Sequence, residues 1–366
     1  MSASDDPIEA VSQRLASYVA GQLDVWSGAG DEAAVFVAAG AAALAGGKRL
    51  RARFCVTGWE AVARLDAHPA GLAAAPGEDV VAAAGALEIF HAAALVHDDL
   101  IDNSDTRRGR PAAHRALEAE HRAARWAGDA AAFGRSGAIL LGDLLVAWSD
   151  DLLEDGLRDA QHAAAAREVF ALMRREVTVG QFLDIAEEAA FVTAPTAEHA
   201  ERALRVASLK SARYSVQHPL LLGAALAGAD AAQSAALSRF GHPLGLAFQL
   251  RDDVLGVFGD SAVTGKPSGD DLREGKRTVL VAFARERMTP AETADFDALL
   301  GDPRLDAEQI AHLQRTIIGT GALDRVEELI ARNCAEADDA LRDAPLAASA
   351  VDALTALAHD ATARTA

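Results

Sequence analysis

The chain is short of the residues that staple small folds. It has two cysteines in 366 residues, Cys55 and Cys334, which excludes a disulfide framework and a cysteine-built zinc site. Both read as small core residues of a reducing cytoplasm. Aromatic residues make up only 5% of the chain, and no alternating stretch is long enough to mark a strand. Positive charge is scarce as well: 35 Lys plus Arg stand against 54 Asp plus Glu, a formal net charge of −19. That balance excludes a general affinity for nucleic acid and obliges any anionic ligand to be held by a local cluster. The opening Met-Ser-Ala-Ser-Asp-Asp lacks the basic segment and apolar run of a signal peptide. The most apolar stretch, 80–96, falls short of a membrane span and is interrupted by Glu88 and His91, so it reads as a buried core helix. No repeat and no glycine-rich phosphate loop after a strand is present.

What is present is helical. Hydrophobic residues are 51% and charged residues 24%, the balance of a globular protein, and long runs of Ala and Leu favour helix. Apolar periodicity predicts helices near 7–25, 31–45, 49–65, 79–103, 112–125, 136–154, 159–188, 196–228, 230–259, 276–287, 291–300, 306–318 and 321–360. Turn chemistry separates them, as in Arg108-Gly109-Arg110-Pro111 and Thr264-Gly265-Lys266-Pro267-Ser268-Gly269. No long linker interrupts the pattern, so residues 1–366 are expected to form a single all-α domain, with 1–6 and 361–366 frayed.

Two acidic clusters lie within apolar helix. The first, Leu95-Val96-His97-Asp98-Asp99-Leu100-Ile101-Asp102, sets Asp98 and Asp102 four residues apart on one helical face, with Asp99 beside them. The second is Phe248-Gln249-Leu250-Arg251-Asp252-Asp253-Val254-Leu255-Gly256. In so acidic a chain a lone Asp pair is often a solvated face. Here the neighbours are apolar around most of the helix, and clustered carboxylates repel one another unless a cation sits between them. Magnesium takes one or two carboxylates plus water and substrate phosphate oxygens, which is what such sparse clusters offer. A di-iron site is the rival, but it needs a Glu-x-x-His on each of two helices; the first acidic helix has one, Glu88 to His91, and the second has none.

Four basic groups complement them: Gly46-Gly47-Lys48-Arg49-Leu50-Arg51, Arg107-Arg108-Gly109-Arg110-Pro111, Lys210-Ser211-Ala212-Arg213, and Lys266 through Lys276-Arg277. Glycine lets the backbone approach an anion, and Arg grips phosphate oxygens with a fork. Each alone reads as surface charge. Interleaved with two aspartate groups in an acidic chain, the four together point to a focused diphosphate site.

From about Gly46 to Lys276 these segments, in this order, resemble the trans-isoprenyl diphosphate synthases, or polyprenyl synthetases. Glu88-Ile89-Phe90-His91, Gly142-Asp143-Leu144 and Gly180-Gln181-Phe182-Leu183-Asp184 complete the ordered set. The resemblance implies a single helical bundle of the isoprenoid synthase type with a central cavity. It implies a magnesium-dependent prenyltransferase, with three ions bound alongside substrate, that joins isopentenyl diphosphate to dimethylallyl, geranyl or farnesyl diphosphate. A homodimer without a membrane span is implied too. By the same carry-over, Lys48, Arg51, His91 and Arg108 hold isopentenyl diphosphate. Arg107, Lys210, Ser211, Gln249, Lys266 and Lys276 hold the allylic diphosphate. Asp98, Asp102 and Asp252 bind the metal, supported by Asp99 and Asp253. His91 as a satisfied core histidine is the bland alternative.

One position departs from the family pattern. A third aspartate commonly ends the second motif, and here that place is Gly256, with Asp260 one turn on as a partial replacement. The Asp-Asp-x-x-Gly pattern is similar to that of actinobacterial geranylgeranyl synthases. Ala93 and Ala94, small and just before Asp98, imply growth past fifteen carbons, while Phe90, about 12 Å down the helix, is a candidate floor near twenty. Phe90 pointing into the core instead is equally compatible with its direction. Rival readings are a farnesyl or longer-chain synthase, a class I terpene cyclase, which has no need of a second diphosphate site, and a non-catalytic subunit of a heteromeric synthase.

Overall fold

The computed structural model describes residues 6–65, 75–259 and 268–362. The chain opens with α1 (Pro7–Val25), α2 (Asp31–Ala43), α3 (Leu50–Ala63) and the core helix α4 (Glu78–Ile101). It continues with α5 (Ala113–Ala123), α6 (Ala130–Leu157) and α7 (Ala163–Ala190). After two short 3₁₀ turns come α8 (His199–Val206), a π-helical segment Ala207–Gln217, α9 (His218–Leu226) and α10 (Ala231–Phe258). The C-terminal helices are α11 (Asp270–Glu274), α12 (Val279–Arg285), α13 (Pro290–Leu299), α14 (Ala307–Gly319), α15 (Ala322–Leu341) and α16 (Ala348–Thr362). The fold is all-α, as the periodicity predicts.

Local chemistry sets the starts. Asp6 accepts a hydrogen bond from the Ile8 amide at 2.9 Å, ahead of a proline at the first helical position of α1. Capping boxes begin α10 (Asp230 with Gln233), α13 (Thr289 with Glu292) and α14 (Asp306 with Gln309).

Contacts divide the chain into two compact units, Met1–Ala166 with Leu222–Gly228, and Arg167–Leu221 with Ala229–Ala366. In the first, α4 is buried along Val80–Phe90 and packs chiefly on α6. Glycines permit the approach: a Cβ on Gly142 would lie 2.0 Å from His97 Nε2, and one on Gly156 2.4 Å from the Ala82 methyl. In the second unit α10 packs on α15 and on the π-helical segment, around Leu250, Val254, Val257, Val326 and Ile330.

The differences from expectation have local causes. The helix expected at 321–360 breaks after Leu341, where Asp343 adopts φ 54° and Pro345 steers Ala344 away from helix. The helix expected at 276–287 is shorter, Val279–Arg285, capped by Thr278, and a further short helix, α11, precedes it and ends at Gly275 with φ 77°. No strand was expected, yet Thr106–Arg107 pairs antiparallel with Arg110–Pro111 around Arg108 and Gly109, both at positive φ as a two-residue hairpin turn requires. Two helices, α4 and α6, are long and apolar enough to cross a membrane by length and composition. The apolar window of α4 is 78% buried, which bears out its reading as a core helix, whereas that of α6 is 28% buried.

Candidate functional site

In the first unit the aspartate pair stands where α4 ends. The Asp102 amide donates to the Asp98 carbonyl at 2.8 Å and closes the helix, so Asp98 and Asp102 occupy its last turn on one side. Asp99 turns inward and is buried. Arg107, at the edge of the hairpin, donates from Nε to Asp99 Oδ1 at 2.7 Å and from Nη2 to the same oxygen, with Nη2 3.6 Å from Asp98 Oδ2. The hairpin therefore returns a guanidinium to both carboxylates, with Asp99 as the buried partner that Arg107 bonds.

The same hairpin delivers Arg108. Its guanidinium nitrogens lie 3.0 and 3.1 Å from where a Cβ on Gly47 would be, so Gly47 must be glycine both for that approach and for its φ of 91°. The next residue, Lys48, is exposed in the same loop. His91 stands among these groups, and its imidazole is held well below the usual histidine range by burial first, then by the positive fields of Arg51, Arg108, Arg107 and Arg49. Neutral, it can donate or accept a hydrogen bond without adding a further charge. Glu88, one turn before His91 and buried, accepts from the Ala52 amide at 3.1 Å and lies 3.6 Å from Arg49 Nη1. That buried carboxylate anchors the cationic loop to α4, a role its place in the Glu88–His91 segment signals only faintly.

The second unit has its own group of charged residues. Lys210 Nζ donates to Asp184 Oδ2 at 2.6 Å, and Lys276 Nζ lies 3.6 Å from the same oxygen and 3.6 Å from Glu188 Oε1. Two cations from distant segments meet on one carboxylate of α7, with Ser211 adjoining Lys210. Gln249 donates from Nε2 to Asp253 Oδ1 at 2.7 Å on α10. Asp253 is buried, and its carboxyl is pushed well above the usual range by burial first, then by Asp271, Asp252 and Asp184, against the Gln249 hydrogen bond. Asp252, Asp271 and Asp184 are thus the carboxylates whose negative fields Asp253 feels. Among the described residues no three His, Cys, Asp or Glu side chains converge into a ready-made metal cage. Lys266 and Asp260 lie outside the described residues.

Gly256 acquires a meaning here. A Cβ on it would fall 2.0 Å from Asp271 Oδ2 and 2.3 Å from its Cγ. The Asp271 carboxylate, carried by α11, thus fills the space beside the second motif that a side chain at 256 would take. Sequence reasoning missed Asp271, since nothing in the motif points fifteen residues on.

On α4, Phe90 and Ala93 are buried, Ala93 at 1% exposure, while Ala94 keeps open surface. Ala94 lies four residues before Asp98 and shares its side of α4.

The polyprenyl synthetase family model matches residues 34–317. The chain belongs to the polyprenyl synthetase family. This polyprenyl synthetase is a chain-elongating prenyltransferase by class. It is 35% identical over 275 residues to the geranylgeranyl diphosphate synthase of Mycobacterium tuberculosis, covering 74% of this chain and 72% of that one. The short chain isoprenyl diphosphate synthase of Methanocaldococcus jannaschii is 31% identical over 64% of each chain. The crystal structure of geranylgeranyl pyrophosphate synthase from Corynebacterium glutamicum, complexed with isoprenyl diphosphate and magnesium, superposes with a TM-score of 0.90 at 39% identity, covering 99% of both chains.

Proposed function

We propose that this polyprenyl synthetase is a magnesium-dependent synthase that condenses isopentenyl diphosphate with an allylic diphosphate, and that its product is geranylgeranyl diphosphate. The observation that carries the reading is the hairpin that sets Arg107 on Asp99 and beside Asp98 while it brings Arg108 against Gly47 of the basic loop. A diphosphate beside a metal needs that juxtaposition of cations and carboxylates.

In this reading Lys48, Arg51, His91 and Arg108 bind and orient isopentenyl diphosphate, with neutral His91 adding a hydrogen bond without a further charge. Arg107, Lys210, Ser211, Gln249, Lys266 and Lys276 bind the allylic diphosphate. Asp184, which Lys210 and Lys276 share, balances their charge before substrate arrives. Asp98, Asp102 and Asp252 would hold magnesium, supported by Asp253 and by Asp271 in place of a third aspartate. The metal supplies charge neutralisation of the leaving diphosphate. The bound side chains bring the double bond of isopentenyl diphosphate against the allylic carbon, and the apolar surroundings exclude the water that would otherwise capture the cation. The proton lost at the end goes to the departing pyrophosphate. Asp271 over Gly256 favours the catalytic reading against that of an inert subunit, and Arg108 against Gly47 of the basic loop favours it against a terpene cyclase.

We read the whole chain as one catalytic domain, cytoplasmic and homodimeric. Support for the dimer comes from α6, an apolar helix left largely uncovered, with Ile139 and Leu140 exposed. Antiparallel pairing about Ile139 sets Arg135 opposite Asp143 of a second copy and Ala132 opposite Val146, so the face is complementary to itself in charge and in apolar contact. The function is tested by incubating the purified chain with isopentenyl diphosphate, an allylic primer and magnesium, and weighing the product. A C20 diphosphate is expected, and no elongation by the chain alone would overturn the reading.

A further inference from the structure

Glu176 lies outside every motif assigned above, yet it bonds two side chains at the π-helical segment. Arg213 Nη1 donates to its Oε1 at 2.8 Å and His218 Nε2 donates to its Oε2 at 2.7 Å. His218 is buried, and because a carboxylate oxygen accepts, its Nε2 carries the proton of that bond. Arg213 lies within the π-helical segment and His218 immediately follows it, so the two oxygens of Glu176 fix its C-terminal half from both sides.

Glu176, Gly180 and Asp184 recur every four residues along α7 and share one face. Each meets the segment differently. Glu176 clamps its end, and Gly180 admits its backbone, since a Cβ there would fall 2.4 Å from the Lys210 nitrogen. Asp184 takes the Lys210 ammonium at 2.6 Å. On the other side α10 offers a matching seat. A Cβ on Gly245 would lie 2.3 Å from the Ala212 carbonyl oxygen, and Ser208 and Gln217 bond to His242 at 2.8 Å and Ser238 at 2.6 Å.

A π-helix is rarely stable on its own and persists where its surroundings impose it. Reversion to α-helical bonding shifts the register by one residue, a rotation of roughly 100° at 3.6 residues per turn, and would swing Lys210 away from Asp184. We infer that Glu176 is a positioning residue, which by bridging Arg213 and His218 holds the π-helical register that aims Lys210 at the allylic diphosphate. The inference rests on the reading of Lys210 as a ligand of that diphosphate.

The test uses the full chain with Glu176→Ala, Glu176→Gln, Lys210→Ala and the double variant Glu176→Ala/Lys210→Ala. Michaelis constants for both substrates and thermal midpoints are measured for each. Glu176→Ala is expected to raise the constant for the allylic diphosphate about tenfold while that for isopentenyl diphosphate stays within about twofold. Glu176→Gln, isosteric and able to keep one of the two bonds, should fold normally and raise the allylic constant about threefold. The double variant should be no worse than Lys210→Ala, because positioning acts through a group already removed. Equal rises for both substrates, or additive losses in the double variant, would overturn the inference and leave Glu176 a merely structural residue. An unchanged allylic constant in Lys210→Ala would instead overturn the assignment of Lys210, and the inference with it.

Discussion

Replacing Gly256 with alanine sets two effects of known size against each other. Inside α10, exchange of glycine for alanine should stabilise the helix by roughly 0.5–1 kcal/mol through lost backbone freedom in the unfolded chain. The new methyl, however, would stand 2.0 Å from Asp271 Oδ2 and 2.3 Å from its Cγ. With the side-chain carbon itself that near, rotating the carboxylate tip is not enough, and α11 or the whole side chain must give way. Overpacking of this kind costs about 1–3 kcal/mol. The net expectation is a destabilisation of about 1 kcal/mol, read as a lower urea midpoint with an unchanged slope. If the displaced carboxylate serves the metal, the magnesium concentration giving half-maximal rate should also rise, by about tenfold. Initial rates of isopentenyl incorporation across a magnesium titration measure this. Gly256→Asp combined with Asp271→Ala, which moves the carboxylate onto the helix without the clash, should bring the requirement back to within about threefold of the parent chain. A Gly256→Ala protein that is more stable and has an unaltered magnesium dependence would refute the argument that Asp271 works from that space.

Asp98→Ala is expected to abolish turnover with folding intact, whereas Asp253→Ala, whose carboxyl is buried and bonded to Gln249, should hurt less; the initial rate and the far-ultraviolet circular dichroism of each decide this. Arg51→Ala should raise the Michaelis constant for isopentenyl diphosphate by about tenfold and that for the allylic substrate far less, and equal rises would refute the partition. Ile139→Arg should convert a dimer to a monomer by light scattering, and Arg135→Glu should weaken association in a way that Asp143→Arg in the same chain repairs. His91 is held neutral in the folded state, so its contribution to stability is complete above the unfolded value of about 6.5 and is lost as pH falls below it, when the unfolded chain takes the proton first. Urea midpoints between about pH 7.5 and 5.5 should therefore fall less steeply in His91→Gln than in the parent.

Helices were legible wherever one face is apolar and the start is capped, as at α1, α10 and α14, because both signals are local in sequence. The span 196–228 shows the limit of that reading. Its apolar pattern runs on without a break, and nothing in it marks the π-helical register of Ala207–Gln217, which depends on glycines of α7 and α10 that lie tens of residues away. The hairpin at Thr106–Pro111 went unseen for the opposite reason. Two-residue strands carry no periodicity, and only the Arg108-Gly109 turn could have announced them.

The candidate site divides along the same line. Residues that touch charge directly, such as Asp98, Arg107, Lys210 and Lys276, stand in segments whose composition is anomalous for so acidic a chain, and the sequence exposes them. Residues that act by occupying a space or sharing a charge do not stand out. Asp184 is one aspartate among many until Lys210 and Lys276 are seen to converge on it. Gly256 reads as a missing ligand until Asp271 is found against it. In both cases the information is a coincidence in space between segments far apart in the chain, and each segment alone has an ordinary explanation. A departure from a motif is therefore weak ground for inferring lost chemistry when the departing residue is glycine, because the space it vacates is open to a carboxylate from elsewhere in the fold.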